Sequence, residues 1–156
     1  MTTKNKKKEF SPNESIGYLT SVAYRSINRR LSNNLKSLGI KVSAEQYGVL
    51  KRLWTEEDLT QLDLSKLTSK DKPSITRLLN NLEKKGFITR KVNIEDKRCN
   101  KIYLTKKGKE LEVICGETAN QTVIEASEKI NKADVKVCKK VLAQICENLV
   151  SKNNSY

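Results

Sequence analysis

The feature that most constrains the fold is a change of hydrophobic period at Phe87. Before this residue, apolar side chains recur every three or four positions, which is the spacing of helices that bury one face. From Phe87 to Val92, and again from Lys101 to Leu104, apolar and polar residues alternate as in a β-strand. Between them lies a polar stretch, Asn93 to Asn100, that is too long for a two-residue turn. The sequence therefore predicts several helices followed by a β-hairpin with a projecting tip.

Capping residues indicate where the helices before the hairpin begin. Ser43 and Thr60 are each followed, three residues later, by a side chain that can complete a capping box. Asp71 precedes a further helix, and Pro73 in its first turn costs no hydrogen bond. A long first helix is predicted from about Pro12, and Gly39 ends it.

Two helices are predicted after the hairpin. Thr105 caps one that we expect to run without interruption to about Ile130. A last helix has apolar residues at helical spacing and ends near residue 150.

The positive charge is concentrated in the middle of the chain. The formal net charge is +13, and the calculated pI is about 9.6. Residues 59–109 contain 14 basic and 5 acidic residues, whereas residues 110–156 contain 6 basic and 7 acidic ones. A general bias towards lysine would spread along the chain, so this distribution indicates a polyanionic partner for the helices and hairpin at 59–109.

Double-stranded DNA is the expected polyanion. An α-helix fits the major groove of B-form DNA, whereas A-form RNA hides its major groove from side chains. The basic region contains only two aromatic residues, Phe87 and Tyr103, which is too few to stack the bases of a single strand.

Composition argues against an enzyme. The chain has no histidine, which excludes Ser-His-Asp sites and histidine-bound zinc, and it has no Gly-rich phosphate loop or paired-carboxylate motif. We therefore expect no catalytic residue, no metal site and no cofactor. The first residues are polar, and no apolar run approaches the roughly 20 residues of a membrane span, so a cytoplasmic protein is expected.

The segment from Leu59 to Leu111 contains two runs that lie in register with the predicted helices and hairpin. Residues 67–82 read LTSKDKPSITRLLNNL and are followed by EKKGFI. Residues 95–108, EDKRCNKIYLTKKG, contain a D-x-R in the hairpin tip and then the L-T-x-x-G that opens the next helix. With these motifs the segment resembles the MarR family of bacterial winged helix-turn-helix transcription regulators, in which the first run is similar to the turn and recognition helix and the D-x-R to the wing.

The resemblance implies a mainly α fold with a small β-hairpin wing, in which a winged helix-turn-helix lobe is joined to a helical dimerisation region. It also implies a homodimer that binds a pseudo-palindromic operator as a repressor, and a small-molecule effector that relieves repression. The expected parts are a disordered basic tail at 1–11, a dimerisation helix at 12–42, the DNA-binding lobe at 43–104, dimerisation helices at 105–150 and a frayed tail at 151–156.

The same resemblance suggests which residues contact DNA. The fourth helix would enter the major groove and Arg98 the minor groove. Asp96 would hold the wing by pairing with a nearby basic side chain, that of Arg98 or Lys97. The expected DNA-binding residues are Lys70, Lys72, Ser74, Thr76, Arg77, Asn80, Asp96, Lys97, Arg98 and Lys101.

An effector pocket would lie between the dimerisation helices and the DNA-binding lobe. Tyr24, Arg25, Tyr47 and Trp54 could line it, since aromatic side chains and a cation suit a phenolic or aromatic acid. The alternative is that Tyr47 and Trp54 are simply core residues. A winged-helix module that binds another protein is a second alternative for the whole chain, although the polar face of the fourth helix disfavours it.

The four cysteines suggest one further alternative, a thiol-based redox-responsive regulator. Cys99 follows two basic residues, which favour the thiolate and make it the redox candidate. Cys115, Cys138 and Cys146 lie at helical positions rich in apolar residues, so we expect them to be buried thiols.

Overall fold

The computed structural model describes residues 14–92 and 100–153, and within them the chain is helical apart from a two-stranded antiparallel sheet. The elements in order are α1 (Ile16–Ser37), α2 (Ala44–Thr55), α3 (Gln61–Thr68), α4 (Lys72–Lys84), β1 (Ile88–Val92), β2 (Asn100–Leu104), α5 (Lys106–Glu110), α6 (Glu112–Ala126) and α7 (Lys132–Asn153).

Helix α1 is long, but only its C-terminal half is covered by the rest of the chain. Its N-cap is Ser15, whose Oγ accepts a hydrogen bond from the backbone N–H of Tyr18 at 3.2 Å. Leu31 and Leu35 are buried in the core. Ile16 and Leu19, apolar residues of its N-terminal half, are 61% and 53% exposed. The predicted start at Pro12 lies outside the described residues.

The starts of α2, α3 and α4 are confirmed at the predicted caps. Ser43 and Thr60 both form complete capping boxes, and the carboxylate of Asp71 accepts from the backbone N–H of Ser74 at 2.7 Å. Ser69 ends α3 in the left-handed conformation (φ 51°), which turns the chain into α4 within a few residues. Local hydrogen bonds thus fix where these three short helices begin.

The core lies where α2, α3 and α4 meet the C-terminal half of α1 and the base of the hairpin. Every buried residue of this hydrophobic core is less than a tenth exposed. Full burial of one Leu, Ile, Val or Phe side chain stabilises the fold by about 1.5–3 kcal/mol. The largest fully buried side chains are Leu35, Leu50, Leu64, Ile75, Leu79, Leu82, Ile88 and Ile102.

The hairpin is joined to the next helix by a close contact that explains the L-T-x-x-G motif. The backbone N–H of Thr105 donates to the carbonyl of Phe87 at 3.0 Å, and its hydroxyl donates to the carbonyl of Gly86 at 2.6 Å. A Cβ at Gly108 would overlap the Phe87 carbonyl oxygen, so a glycine is required there. The indole N–H of Trp54 donates to the Gly108 carbonyl at 3.0 Å and covers the contact.

Two predictions about the C-terminal helices were wrong. The helix that begins after Thr105 is interrupted at Leu111, so that α5 and α6 are separate, and α6 ends at Ala126 rather than near Ile130. Helix α7 continues to Asn153, beyond the predicted start of a frayed tail at 151. Residues 154–156 and the basic tail at 1–11 lie outside the described residues.

By contacts, the described residues form two compact units, which divide between Thr122 and Val123. The first unit extends past the predicted lobe boundary at 104, because Cys115, Thr118 and Thr122 of α6 are buried, and Asn34 of α1 donates to Thr122 at 3.0 Å. In the second unit, apolar residues of α7 are exposed, including Val137 at 58%. Among the described helices, none combines the length and apolar character that a membrane span requires.

Candidate nucleic-acid interface

Helix α4 has one buried face and one polar face. Ile75, Leu78, Leu79 and Leu82 form the buried face and hold the helix against the core. Lys72 and Arg77, from the predicted DNA-binding set, are exposed, and neither forms an ion pair with a described residue. The helix therefore offers, at its N-terminal half and on a rigid support, two cations that pair with no described residue.

The first turn of α4 is ordered by its cap. The Asp71 carboxylate accepts from the backbone N–H of Ser74, and this hydrogen bond lowers the pKa of Asp71 below its usual value, so that the cap stays ionised. The Thr76 hydroxyl donates to the Lys72 carbonyl at 2.8 Å and accepts from the amide of Gln61 at 2.6 Å. Ser74 and Thr76 are half-buried, so the turn presents them in fixed positions.

Two lysines of the predicted set are paired with carboxylates of the same chain. The ammonium of Lys70 lies 3.0 Å from Glu45, and that of Lys101 lies 3.3 Å from Asp58. Both lysine side chains are about a quarter exposed or less. A phosphate contact from either lysine would therefore compete with an existing ion pair.

Asn80 belongs to a polar cluster that joins α4 to the hairpin. Its side-chain oxygen accepts from the guanidinium of Arg90 on β1 at 2.7 Å, and the same guanidinium lies 3.1 Å from Glu83. Among the described residues, the buried Nε of Arg90 has no hydrogen-bond partner. Sequence reasoning missed Arg90 and Glu83, because nothing in the pattern of charges shows that a strand residue and a helix residue will meet.

The base of the hairpin is held to the α2–α3 connection. The backbone N–H of Ile102 donates to the Leu59 carbonyl at 2.9 Å. Asp58, which adopts a positive φ of 59°, accepts from the hydroxyl of Tyr103 at 2.8 Å, and this hydrogen bond holds the pKa of Asp58 below its usual value. Asp58 and Tyr103 were also missed, since the sequence signal for them is weak: one acidic residue in a polar loop and one aromatic residue in a strand.

The hairpin pairs Ile88 with Leu104 at its base and Val92 with Asn100 at its outer end. The strands therefore confirm the predicted wing, with β2 beginning at Asn100 rather than at Lys101. The predicted tip residues Asp96, Lys97 and Arg98 lie outside the described residues, and so does Cys99.

The residues predicted to line an effector pocket are in different environments. Tyr24 is 55% exposed on α1, and Arg25 is also exposed. Tyr47 and Trp54 lie on α2 with their ring centroids 6.1 Å apart, and both pack against the core. An open cavity of ≈ 550 Å³ lies at another place, beside the α1–α2 connection, and none of the four residues lines it.

The cysteines differ from one another in exposure. Cys115 is fully buried, and desolvation raises the pKa of its thiol, which disfavours the reactive thiolate. Cys138 and Cys146 are exposed, so the expectation that both are buried is wrong for a single chain. They lie on α7, where the apolar neighbours that suggested burial are exposed too. Among the described residues, no cluster of three or more His, Cys, Asp or Glu side chains could hold a metal ion.

Comparison with known proteins supports a single family. The MarR family model matches residues 42–100, which extend from the start of α2 to the outer end of the hairpin. A relative from Staphylococcus saprophyticus, the HTH-type transcriptional regulator SarZ, is 30% identical over 116 residues, which are 74% of this chain and 78% of the relative.

Two solved structures from E. coli share the fold. Wild-type MarR in its apo form is 26% identical with a TM-score of 0.71, and it aligns with 84% of this chain and 96% of its own. A mutant MarR complexed with operator DNA is 27% identical with a TM-score of 0.77, and it aligns with 85% of this chain and 96% of its own.

Proposed function

Since the chain belongs to the MarR family of DNA-binding transcription regulators, we propose that it acts as a homodimer on a pseudo-palindromic operator, which it contacts through α4 and the wing. The observation that carries this proposal is the polar face of α4. Lys72 and Arg77 are exposed and free of ion pairs among the described residues, on a helix whose other face is fully buried. The E. coli relative bound to operator DNA supports the same use of the fold.

Helix α4 would lie in the major groove with its N-terminal half towards the bases. Arg77 can donate two hydrogen bonds to a guanine or clamp a phosphate, while Lys72 at the first turn suits a phosphate. Ser74, Thr76 and Asn80 are held by intramolecular hydrogen bonds and would add contacts at fixed positions. At the wing tip, Arg98 and Lys97 would enter or flank the minor groove, and Asp96 would orient them.

The homodimer is supported by apolar surface that one chain leaves open. Ile16 and Leu19 on α1 and Val141, Leu142 and Leu149 on α7 are between 39% and 61% exposed. Apolar faces of this extent on helices usually mark a protein interface. A two-fold dimer would place two copies of α4 about one turn of DNA apart, about 34–36 Å, and hence would read two half-sites.

The proposal includes a location in the cytoplasm, where the chromosome lies. The proposed mode of regulation is repression that a small molecule relieves. For Tyr24, Arg25, Tyr47 and Trp54 as effector ligands, the exposure of the first two is favourable, whereas the core packing of the second two favours a structural role. Regulation by oxidation of Cys99 is tested by Cys99→Ser, which should abolish any effect of peroxide on DNA binding; an unchanged effect would contradict it.

The proposed DNA contact can be tested by fluorescence anisotropy with duplexes selected from a random pool. Arg77→Ala should weaken binding to the selected duplex by about 1–3 kcal/mol, or roughly fivefold to 150-fold. Lys136→Ala, which removes a cation from an exposed position of α7, is the matched control and should have little effect. Equal losses in the two variants, or no binding of the full chain to any duplex at low salt, would contradict the proposal.

A further inference from the structure

The open cavity beside the α1–α2 connection is not used by the proposed DNA contacts, yet three lysines surround it. Lys36 lies in the last turn of α1, and Lys41 lies in the α1–α2 connection. Lys85 is the residue that caps the C-terminus of α4. None of the three forms an ion pair with a described residue, and no residue that lines the cavity is acidic. The cavity therefore has an excess of positive charge without a counterion from its own walls.

The same cavity also has an apolar part. Ile40 and Val42 line it, and Val42 is buried in the core while Ile40 packs against that core from its edge. Its volume of ≈ 550 Å³ is within the range of sites for small molecules, about 300–1,000 Å³. An inorganic anion would leave this apolar wall uncovered, whereas an anion with a hydrocarbon body would cover it.

Lys85 connects the cavity to the recognition helix. Its ammonium donates to the Lys41 carbonyl and to the side-chain oxygen of Gln46, each at 2.8 Å. An ammonium has three N–H donors, so one is left for a further acceptor. Partial burial lowers the pKa of Lys85, and a nearby anion would offset this cost of desolvation.

From this geometry we propose that the cavity binds a small organic anion, whose carboxylate meets Lys36, Lys41 and Lys85 and whose aliphatic body lies against Ile40 and Val42. The bound anion acts on the DNA-binding face through Lys85, because the remaining N–H of its ammonium ties the end of α4 to the anion as well as to the α1–α2 connection. This regulatory part rests on the proposed DNA-binding function, whereas the binding site itself does not. The site is distinct from the pocket predicted around Tyr47 and Trp54.

The binding site can be tested without DNA by NMR titration of the full chain with hexanoate. Saturable shifts are expected at the backbone amides of residues 36–46 and 85. Hexanoate should bind about tenfold more tightly than acetate, which lacks the hydrocarbon body, and than hexanamide, which lacks the charge. Inorganic phosphate should bind no better than acetate.

Matched variants separate the cavity from general charge effects. Lys36→Gln with Lys41→Gln should weaken hexanoate binding at least about fivefold, while Lys51→Gln, an exposed lysine of α2 that does not line the cavity, should leave it unchanged. Lys85→Gln should weaken it as well, and its thermal unfolding shows whether the variant is folded. Absence of saturable shifts up to about 10 mM hexanoate, equal binding of hexanamide, or shifts centred on Tyr47 would overturn the site.

The regulatory part is tested by anisotropy with the selected duplex. Hexanoate, but not hexanamide, should change duplex affinity in the wild type and not in the Lys36→Gln, Lys41→Gln double variant. Without hexanoate the double variant should bind duplex as the wild type does; weaker binding would mean that these lysines contact DNA and would overturn the proposal. Binding of hexanoate with no change in duplex affinity would overturn the regulatory part. If the wild type binds no duplex at all, the proposed function fails while the NMR result stands.

Discussion

Helices α4 and α7 are both amphipathic, but within one chain only the apolar face of α4 is covered. The apolar face of α4 is fully covered by its own chain, and Leu79 and Leu82 have no exposed surface. The apolar residues of α7 remain open, with Val137 and Leu149 each 58% exposed. The difference agrees with the proposal that the DNA-binding lobe forms within one chain, whereas the apolar face of α7 packs against a second copy.

The largest expected effect comes from a charge on the apolar face of α7. Leu142→Lys should prevent dimerisation, because the lysine would be buried at the interface without a partner. Loss of the second half-site contact should lower operator affinity on the order of a hundredfold. Sedimentation velocity measures the dimer, and anisotropy measures the affinity.

Gln144→Lys is the control for this substitution, because it adds the same charge to α7 at an exposed polar position. It should leave the dimer intact. If Leu142→Lys remains a dimer with normal operator affinity, the exposed apolar face of α7 is not the dimer interface.

The second prediction concerns the face of α4 that the chain already covers. Leu79→Ala should lower the free energy of unfolding by about 2–5 kcal/mol, since it leaves a cavity in a core position with no exposed surface. Urea denaturation followed by circular dichroism gives the value. A loss below about 1 kcal/mol would mean that α4 is not held as the structure shows.

Gly108→Ala should destabilise the junction between the hairpin and α5 by about 1–3 kcal/mol, because the new methyl group would overlap the Phe87 carbonyl. Gly48→Ala is the matched control, since Gly48 lies inside α2 with open space at its Cβ position, and alanine there should be neutral or stabilising. Urea denaturation of both variants checks this. Similar losses in the two would show that the close approach at Gly108 does not matter.

The smallest effect is expected for Asp58→Asn at the base of the wing. The folded pKa of Asp58 is lowered by the Tyr103 hydroxyl and by Lys101, so its contribution is present above the unfolded pKa and is lost as pH falls through the folded one. The wild type should therefore melt at a higher temperature than the variant at pH 6, and the difference should shrink below about pH 4. A constant difference at both pH values would contradict this assignment.

Local signals in the sequence were enough to predict the DNA-binding lobe. The caps at Ser43, Thr60 and Asp71 form hydrogen bonds within three residues, so they can be read without knowing the fold. The exposed position of Lys72 and Arg77 follows from the apolar spacing of α4 in the same way.

Contacts between distant segments could not be predicted. The pairing of Arg90 with Glu83, and of Lys101 with Asp58, depends on how β1 and β2 lie against the helices. The exposure of Cys138 and Cys146 was mispredicted because an apolar helical face looks the same in sequence whether its own chain or a second copy covers it. The basic cavity was missed because its lysines come from three segments.

Native mass spectrometry over a range of protein concentrations gives the number of chains bound to one operator duplex. Two chains per duplex are expected, with no substantial population of one-chain complexes, and Leu142→Lys should lose the two-chain complex. A complex of one chain per duplex with undiminished affinity would contradict recognition by a dimer, because a single lobe would then suffice.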